Sequence, residues 1–197
     1  MKDIELIQTA LMLTPPWQVA ECQFDVNQER LNIYLDFLRG SHFPCPDCGQ
    51  EECAVHDTEN KSWRHLNFFQ HETFMYARVP RIKCSNCGVR LINVPWARDD
   101  SGFTLLFEAY IMILAPSMPV QRISELVSEH DTRLWRLIHH HVKEAREQAD
   151  HSDVKKVGVD ETSSKRGHNY VSIFVDLEKS KTVFATEGKD NTTVEHF

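Results

Sequence analysis

Two copies of C-x-x-C-G, Cys45-Pro46-Asp47-Cys48-Gly49 and Cys84-Ser85-Asn86-Cys87-Gly88, constrain this chain more than anything else in it. Two residues between paired cysteines let one tight turn present two thiolates to a single ion, and zinc prefers a tetrahedral set of such ligands. The glycine after each second cysteine permits the left-handed backbone that the turn requires. Each pair lies beside a strand-like segment, so the pattern reads as a zinc ribbon with Cys45, Cys48, Cys84 and Cys87 around one structural Zn2+. The bland alternative is two turns that hold buried thiols. The spacer of 35 residues is longer than the usual insertion between knuckles. Cys53 and His56 read as bystanders, because two complete knuckles already fill four positions. Cys22, on the inward side of an alternating segment, reads as a core residue.

Cysteines used this way belong to a reducing compartment, so the expected location is the cytosol. The acid-bearing N-terminus MKDIELIQTALM does not read as a signal peptide, and no apolar run reaches the roughly 18 residues of a membrane span. The net charge of −7 argues against a generally basic nucleic-acid coat. Its distribution is uneven: residues 1–60 carry −8, whereas 61–100 carry +4. A basic stretch in an acidic chain, with Arg64, Arg81, Lys83 and Arg98, is a candidate phosphate-binding face. A solvated surface of mixed charge is the plainer reading.

Periodicity divides the chain into three parts. Residues 1–14 predict a short helix stopped by Pro15-Pro16. Residues 20–26 and 31–37 alternate apolar and polar side chains and predict a hairpin, with Ala20, Cys22, Phe24 and Val26 on one face. Further strands are expected at 73–83 and 91–94. From 104 to 145 the period is helical. A first helix over 104–115 ends at Ala115-Pro116, and Pro119 suits the first turn of a second over 120–127. A third follows Asp131, with Leu134, Leu137, Ile138 and Val142 inward. Strands at 154–159, 170–177 and 182–186, joined by short polar connections, predict an antiparallel meander. The expected organisation is α+β and multidomain: a β-rich region with the ribbon (1–95), an all-α region (103–148) and a β-meander (151–197).

The segment 120–145 has the size of a helix-turn-helix, in which the second helix enters the DNA major groove. Its outward residues are expected to be Thr132, Arg133, Arg136, His140 and Lys143, with arginine suited to guanine edges and lysine to phosphates. An ordinary helical hairpin with a charged face would look the same. His139-His140-His141 resembles a metal tract, but consecutive helical residues point about 100° apart and three in a row do not converge on one ion. Val157-Gly158-Val159-Asp160-Glu161-Thr162 is an apolar strand that ends in acids. Asp160 fits the metal-binding aspartate on the first strand of a ribonuclease-H-like nuclease.

The order of these parts resembles the ISL-three family of bacterial insertion-sequence transposases. The resemblance lies in CPDCG, WRHLNFF, VPRIKCSNCGV, VPWARDDSGFTLLFEA, HDTRLWRLIHHHV, VGVDETSSKRGHNYVSIFVDLE and FATEGKD, which cover almost all of the chain from Cys45 onward. It implies that Cys45, Cys48, Cys84 and Cys87 hold zinc and that Asp160 is the first carboxylate of a DDE triad, which works with Mg2+ or Mn2+. It implies double-stranded DNA as partner, at terminal inverted repeats, with a homo-oligomer on DNA and no membrane. The DNA contacts are expected from Arg64, Arg81, Lys83, Arg98, Arg133, Arg136 and Lys143. Family members are much longer, with the second Asp and the Glu of the triad well downstream. This chain is therefore expected to hold the first three strands of an incomplete ribonuclease-H-like domain, with inward residues of 170–177 left exposed, and to be inactive alone. The alternative is a zinc-containing DNA-binding regulator that competes for the same ends.

Overall fold

The computed structural model describes residues 3–165, 169–188 and 193. They form two compact units, Met1–His140 and His141–Phe197. In the first, α1 (Asp3–Ala10) precedes a six-stranded sheet. Its strands are β1 (Trp17–Asp25), β2 (Arg30–Phe37), β3 (His42–Phe43), β4 (Cys53–Phe68), β5 (His71–Cys84) and β6 (Gly88–Leu91). The order is β1-β2-β5-β4-β3, with β6 pairing β5.

The β1–β2 hairpin forms as its alternation predicts, and the Asp25 carboxylate closes the turn by accepting the N–H groups of Asn27 and Gln28 at 2.9 and 3.0 Å. Its inward row differs from the expected one. A bulge between Val19 and Glu21 shifts the phase, so Trp17 and Val19, rather than Ala20, share the inward face with Cys22 and Phe24, which stand opposite Ile33 and Leu31; Phe24, near the end of the strand, stays 45% exposed. The extra residue of a bulge changes which of two alternating rows faces inward on either side of it.

The spacer between the knuckles is the long antiparallel β4–β5 hairpin. Strand β4 is absent from the periodicity reading because 57–62 is entirely polar, and most of that run is exposed. Strand β6 begins at Gly88, three residues before the expected segment, because the chain pairs with β5 directly after the second knuckle. Parallel pairing of β2 with β5 places the β1–β2 hairpin beside this ribbon. The core between them holds Ile33, Met75, Val79 and Ile82, with Trp96 at 4.7 Å from Trp17 and 5.5 Å from Trp63, ring edges meeting faces.

Three helices follow, α2 (Leu105–Leu114), α3 (Val120–Val127) and α4 (Asp131–Glu147), the first unit ending at His140 within α4. Thr104 caps α2, its hydroxyl accepting the N–H of Phe107. Pro119 stands at the N-cap of α3 rather than inside its first turn, and Ser128 ends it in the left-handed conformation at φ 56°. Phe107, Ile111, Ile123, Val127, Leu134 and Leu137 form a second core. Val142, expected inward, is 45% exposed. The helices are laid directly on β4: Arg64 N–H donates to Gly102 O at 2.9 Å and Thr104 N–H to Arg64 O at 3.0 Å.

In the second unit, β7 (Val157–Lys165), β8 (Asn169–Asp176) and β9 (Lys181–Glu187) form the predicted antiparallel meander in that order. One face is better covered than expected. Ser172, Phe174 and Asp176 are buried, and the guanidinium of Arg146, near the end of α4, lies 5.1 Å above the Phe184 ring. The mixed α+β character of the chain agrees with its sequence pattern. No helix among the described residues is long and apolar enough to cross a membrane.

Candidate metal centre and nucleic-acid interface

The two knuckles converge. The Sγ atoms of Cys45, Cys48, Cys84 and Cys87 all lie within 4.8 Å of one another, with Cys48 and Cys84 at 3.6 Å. Four sulfurs bound at about 2.3 Å around a tetrahedral zinc stand about 3.8 Å apart, so the donor set fits that ion. The left-handed glycines fall where the turns need them, Gly49 at φ 70° and Gly88 at φ 79°. Gly49 N–H donates to Cys45 O at 2.9 Å. Backbone N–H groups of Cys87 and then Asn86 aim at the Cys84 sulfur and bring its thiol down to about 6, which favours the thiolate a metal requires. Hydrogen bonding with Cys48, followed by burial, pushes the Cys87 thiol up. Arg90 of β6 pairs with Asp47 of the first knuckle and ties the two turns together.

Cys53 is buried outside this quartet, and its thiol is raised by burial first and then by Cys84. His56 pairs with Asp57 at 3.2 Å. Both are bystanders to the four-sulfur group, and Cys22 packs half-buried against the core. On α4, His139 stays apart, but ring nitrogens of His140 and His141 and a carboxylate oxygen of Glu144 lie within 4.8 Å of one another. Two of the three histidines thus approach each other, with the third donor coming from the next turn.

The basic residues expected on a phosphate-binding face divide into two sets. Arg64 is a correction: only 1% of it is exposed, and no phosphate reaches it. It donates to the carbonyls of His65, Thr73 and Val127 and to Asn67 Oδ1. Its Nε faces Glu129 at 3.7 Å, and its guanidinium lies between the rings of Phe74 and Phe107. Burial lowers its pKa, against the pull of Glu72 and Glu129. Arg133 turns back to the same Glu129 and lies 4.4 Å over Phe103. A Cβ on Gly102 would come within 3.0 Å of its guanidinium. Arg98 donates to the buried Glu108 at 3.0 Å. Arg64 fastens the helices to β4, Arg98 ties the segment after β6 to α2, and Arg133 ties α4 to the turn before it and to Phe103.

The others face solvent. Arg81 is held by Asp57, which raises the arginine and lowers the carboxyl, and Lys143 pairs with Glu147 at 3.7 Å. Lys83 and Arg136 are exposed with no ion pair recorded among the described residues. The outward face of α4 runs through Thr132, Trp135, Arg136 and His139, all exposed, at the i, i+3, i+4, i+7 spacing of one helical stripe. His140, expected there, is half-buried.

The sequence pattern does not single out Glu108 and Glu129, which hold these arginines, or the exposed Trp135 of α4. A lone acid within the apolar LLFEAYIMIL was a sign of a buried charge, and Glu129 stands four residues before Arg133, the spacing of a helical ion pair. Next to Arg64, His65 is driven down to about 4 by burial and by that arginine, so it is neutral, and its Nδ1 pairs with the Thr104 hydroxyl at 2.9 Å.

Asp160 sits in β7 opposite Ile173, exposed, and accepts the N–H of Glu161 at 2.9 Å. Asp176 is on the other face of the sheet, buried, where it accepts the N–H groups of Glu178 and Lys179. No cluster of three metal-ligating side chains among the described residues includes Asp160.

Comparison with known proteins follows this order of parts. Residues 41–87 match a model described as the zinc-finger of transposase IS204/IS1001/IS1096/IS1165. Residues 92–142 match the helix-turn-helix domain of transposase family ISL3, and residues 157–197 match the DDE transposase segment of the same family. The transposase for insertion sequence element IS1557 of Mycobacterium tuberculosis is 28% identical over 135 residues, 68% of this chain and 30% of that protein. The transposase for IS1001 of Bordetella parapertussis is 22% identical over 154 residues, 78% of this chain and 38% of its own length. The chain thus spans about a third of the length of these curated relatives. No solved structure matches it. With zinc ribbon, helix-turn-helix and DDE segment matched in sequence order by models of one family, the chain belongs to the ISL3 family of insertion-sequence transposases.

Proposed function

We propose that these 197 residues bind the terminal inverted repeats of an insertion sequence as the N-terminal part of a DDE transposase. The observation that carries this reading is the stripe of Thr132, Trp135, Arg136 and His139 on the second helix of a helix-turn-helix, whose turn is pinned to a zinc ribbon by Arg64. Region 1–95 would hold the structural Zn2+ at Cys45, Cys48, Cys84 and Cys87, region 103–148 would read DNA, and 151–197 would open a ribonuclease-H-like catalytic domain. Arg136, Lys83, Arg81 and Lys143 are its solvent-facing cations for duplex phosphates and bases. The setting is the bacterial cytoplasm, with the protein assembled as a homo-oligomer on the two ends.

In this reading Asp160 is the first metal-binding carboxylate. Mg2+ or Mn2+ held there with further carboxylates would activate the attacking oxygen and stabilise the leaving one. Asp160 by itself offers too few ligands to hold two ions about 3.5–4 Å apart, so the segment is expected to bind ends without cutting them. The test is a mobility-shift titration on repeat-end duplex against a scrambled duplex across salt concentration. Preference for the repeat, weakening steeply with salt, supports the reading. Equal affinity for both duplexes sinks it. Binding that blocks a complete transposase at the same ends would favour the regulator.

A further inference from the structure

We propose that Trp135 is a specificity-determining residue of the α4 face, packing its indole against the methyl edge of thymine in the major groove of duplex DNA. The proposal rests on the DNA-binding reading of α4. Of the chain's four tryptophans, Trp17, Trp63 and Trp96 are buried at 4–8% exposure, whereas Trp135 is 48% exposed. It sits one turn into α4, opposite the buried Leu134 and Leu137, between Thr132 and Arg136 on the outward stripe. His139 supports its ring at 6.0 Å. The N-terminal residues of such a helix are the ones that reach base edges.

Arg133, the other large side chain of that first turn, turns its guanidinium onto Glu129 and Phe103, with 40% of the side chain still exposed. The groove-facing set is therefore one hydroxyl, one indole, one guanidinium and the imidazole of His139. Thymine alone among the four bases presents a methyl group in the major groove, and apolar contact with it is a direct readout. An indole left in water can bury up to about 150–250 Å2 there. Arg136 beside it suits a phosphate or a guanine edge. A polar, cationic surround of this kind favours duplex DNA over an apolar protein partner as what covers the ring.

The experiment uses the full 197-residue, zinc-loaded chain. A duplex is enriched by the chain from a randomised pool and then remade with deoxyuridine for every thymine, which removes only the methyl groups. Wild type should bind the uracil duplex about fourfold more weakly for each methyl that the ring covers. Trp135→Ala should bind both duplexes alike, while Trp135→Phe should keep part of the difference. In parallel, acrylamide quenching of the one exposed tryptophan should fall on adding the enriched duplex. A Trp135→Ala chain that discriminates as strongly as wild type overturns the proposal, as does a tryptophan that stays equally quenchable at saturating DNA. If the pool yields no enriched duplex at all, the DNA-binding reading itself fails. Because Trp135 is outside both cores, its variants should melt as wild type does, which separates a lost contact from a lost fold.

Discussion

Replacing Arg64 by alanine separates two roles that a basic residue can play. As a phosphate contact, Arg64→Ala would leave stability within about 0.5 kcal/mol and lower the salt slope of DNA binding by about one. The structure requires the opposite. The Arg64 side chain is 0% exposed and donates to three backbone carbonyls and to Asn67, facing a Glu129 whose side chain is only 7% exposed. Truncation strips donors from buried carbonyls, at about 1–3 kcal/mol for a group left unsatisfied. It also leaves the Glu129 carboxylate held by Arg133 alone, and breaking a buried ion pair costs about 3–5 kcal/mol. These penalties overlap, because the same guanidinium serves both, so about 3–5 kcal/mol is expected for the whole change. With a urea slope of about 1–3 kcal/mol/M, the midpoint should move by roughly 2 M.

Tryptophan emission, to which the buried Trp63 next to Arg64 contributes, reports the transition. Arg64→Lys should recover little, since one ammonium cannot span a fork of acceptors. A midpoint within about 0.2 M of wild type, together with a salt slope reduced by about one, would refute the clamp and return Arg64 to the DNA surface.

Other outcomes follow from the same geometry. Chelation, or Cys84→Ser, should remove one zinc per chain, seen by native mass spectrometry, and unfold the sheet at its knuckle end; a Cys84→Ser chain that keeps its zinc excludes this quartet. His65, at about 4 in the fold against an ordinary 6.5, lets the unfolded chain take up a proton first as pH falls. Stability should therefore decline from about pH 6.5 towards pH 4, by about 3 kcal/mol in all, and His65→Asn should flatten that part of the curve of urea midpoint against pH; parallel curves would show that His65 contributes nothing. Asp160→Ala should leave the melting temperature unchanged, because the carboxylate is exposed. With Mn2+ and repeat-end duplex, the 197-residue chain should give no cleaved strand on a sequencing gel, and a cleaved product would show that Asp160 needs no further carboxylates from outside it.

What the sequence made legible is what local chemistry determines. The C-x-x-C-G turns carry their own glycines, so the converging sulfurs follow from spacing alone. The helices follow from period and caps, and the meander from alternation. Strand β4 was hidden because its polar middle is solvated, and the pairing with β5 that makes it a strand is not written in its own residues. The bulge after Val19 was hidden for a related reason, since alternation cannot show where the phase slips. Charge counting failed in a third way. It credited Arg64 and Arg98 to a surface, although each has an acidic partner at a core boundary. A net charge carries no information about which cations are already neutralised.

The Arg64 pair also gives the ribbon a role beyond holding a metal. Strand β4 starts at Cys53, a buried neighbour of Cys84 in the metal quartet, and reaches Arg64 eleven residues later. At about 3.3 Å per residue that is some 36 Å of a single strand, stiffened throughout by pairing with β5. At its far end the backbone of Arg64 holds the cap of α2, and its guanidinium holds the last carbonyl of α3 and the turn before α4. All three helices are thereby registered against one strand whose other end is anchored beside the metal. The direction in which Thr132, Trp135 and Arg136 point is then set by the ribbon as well as by helix packing. A helix-turn-helix of this size has a core of eight buried apolar residues, of which Phe107 lies against Arg64 itself. In the proposed DNA-binding reading, the metal would contribute to recognition through the fixed angle of α4, with no zinc ligand touching DNA.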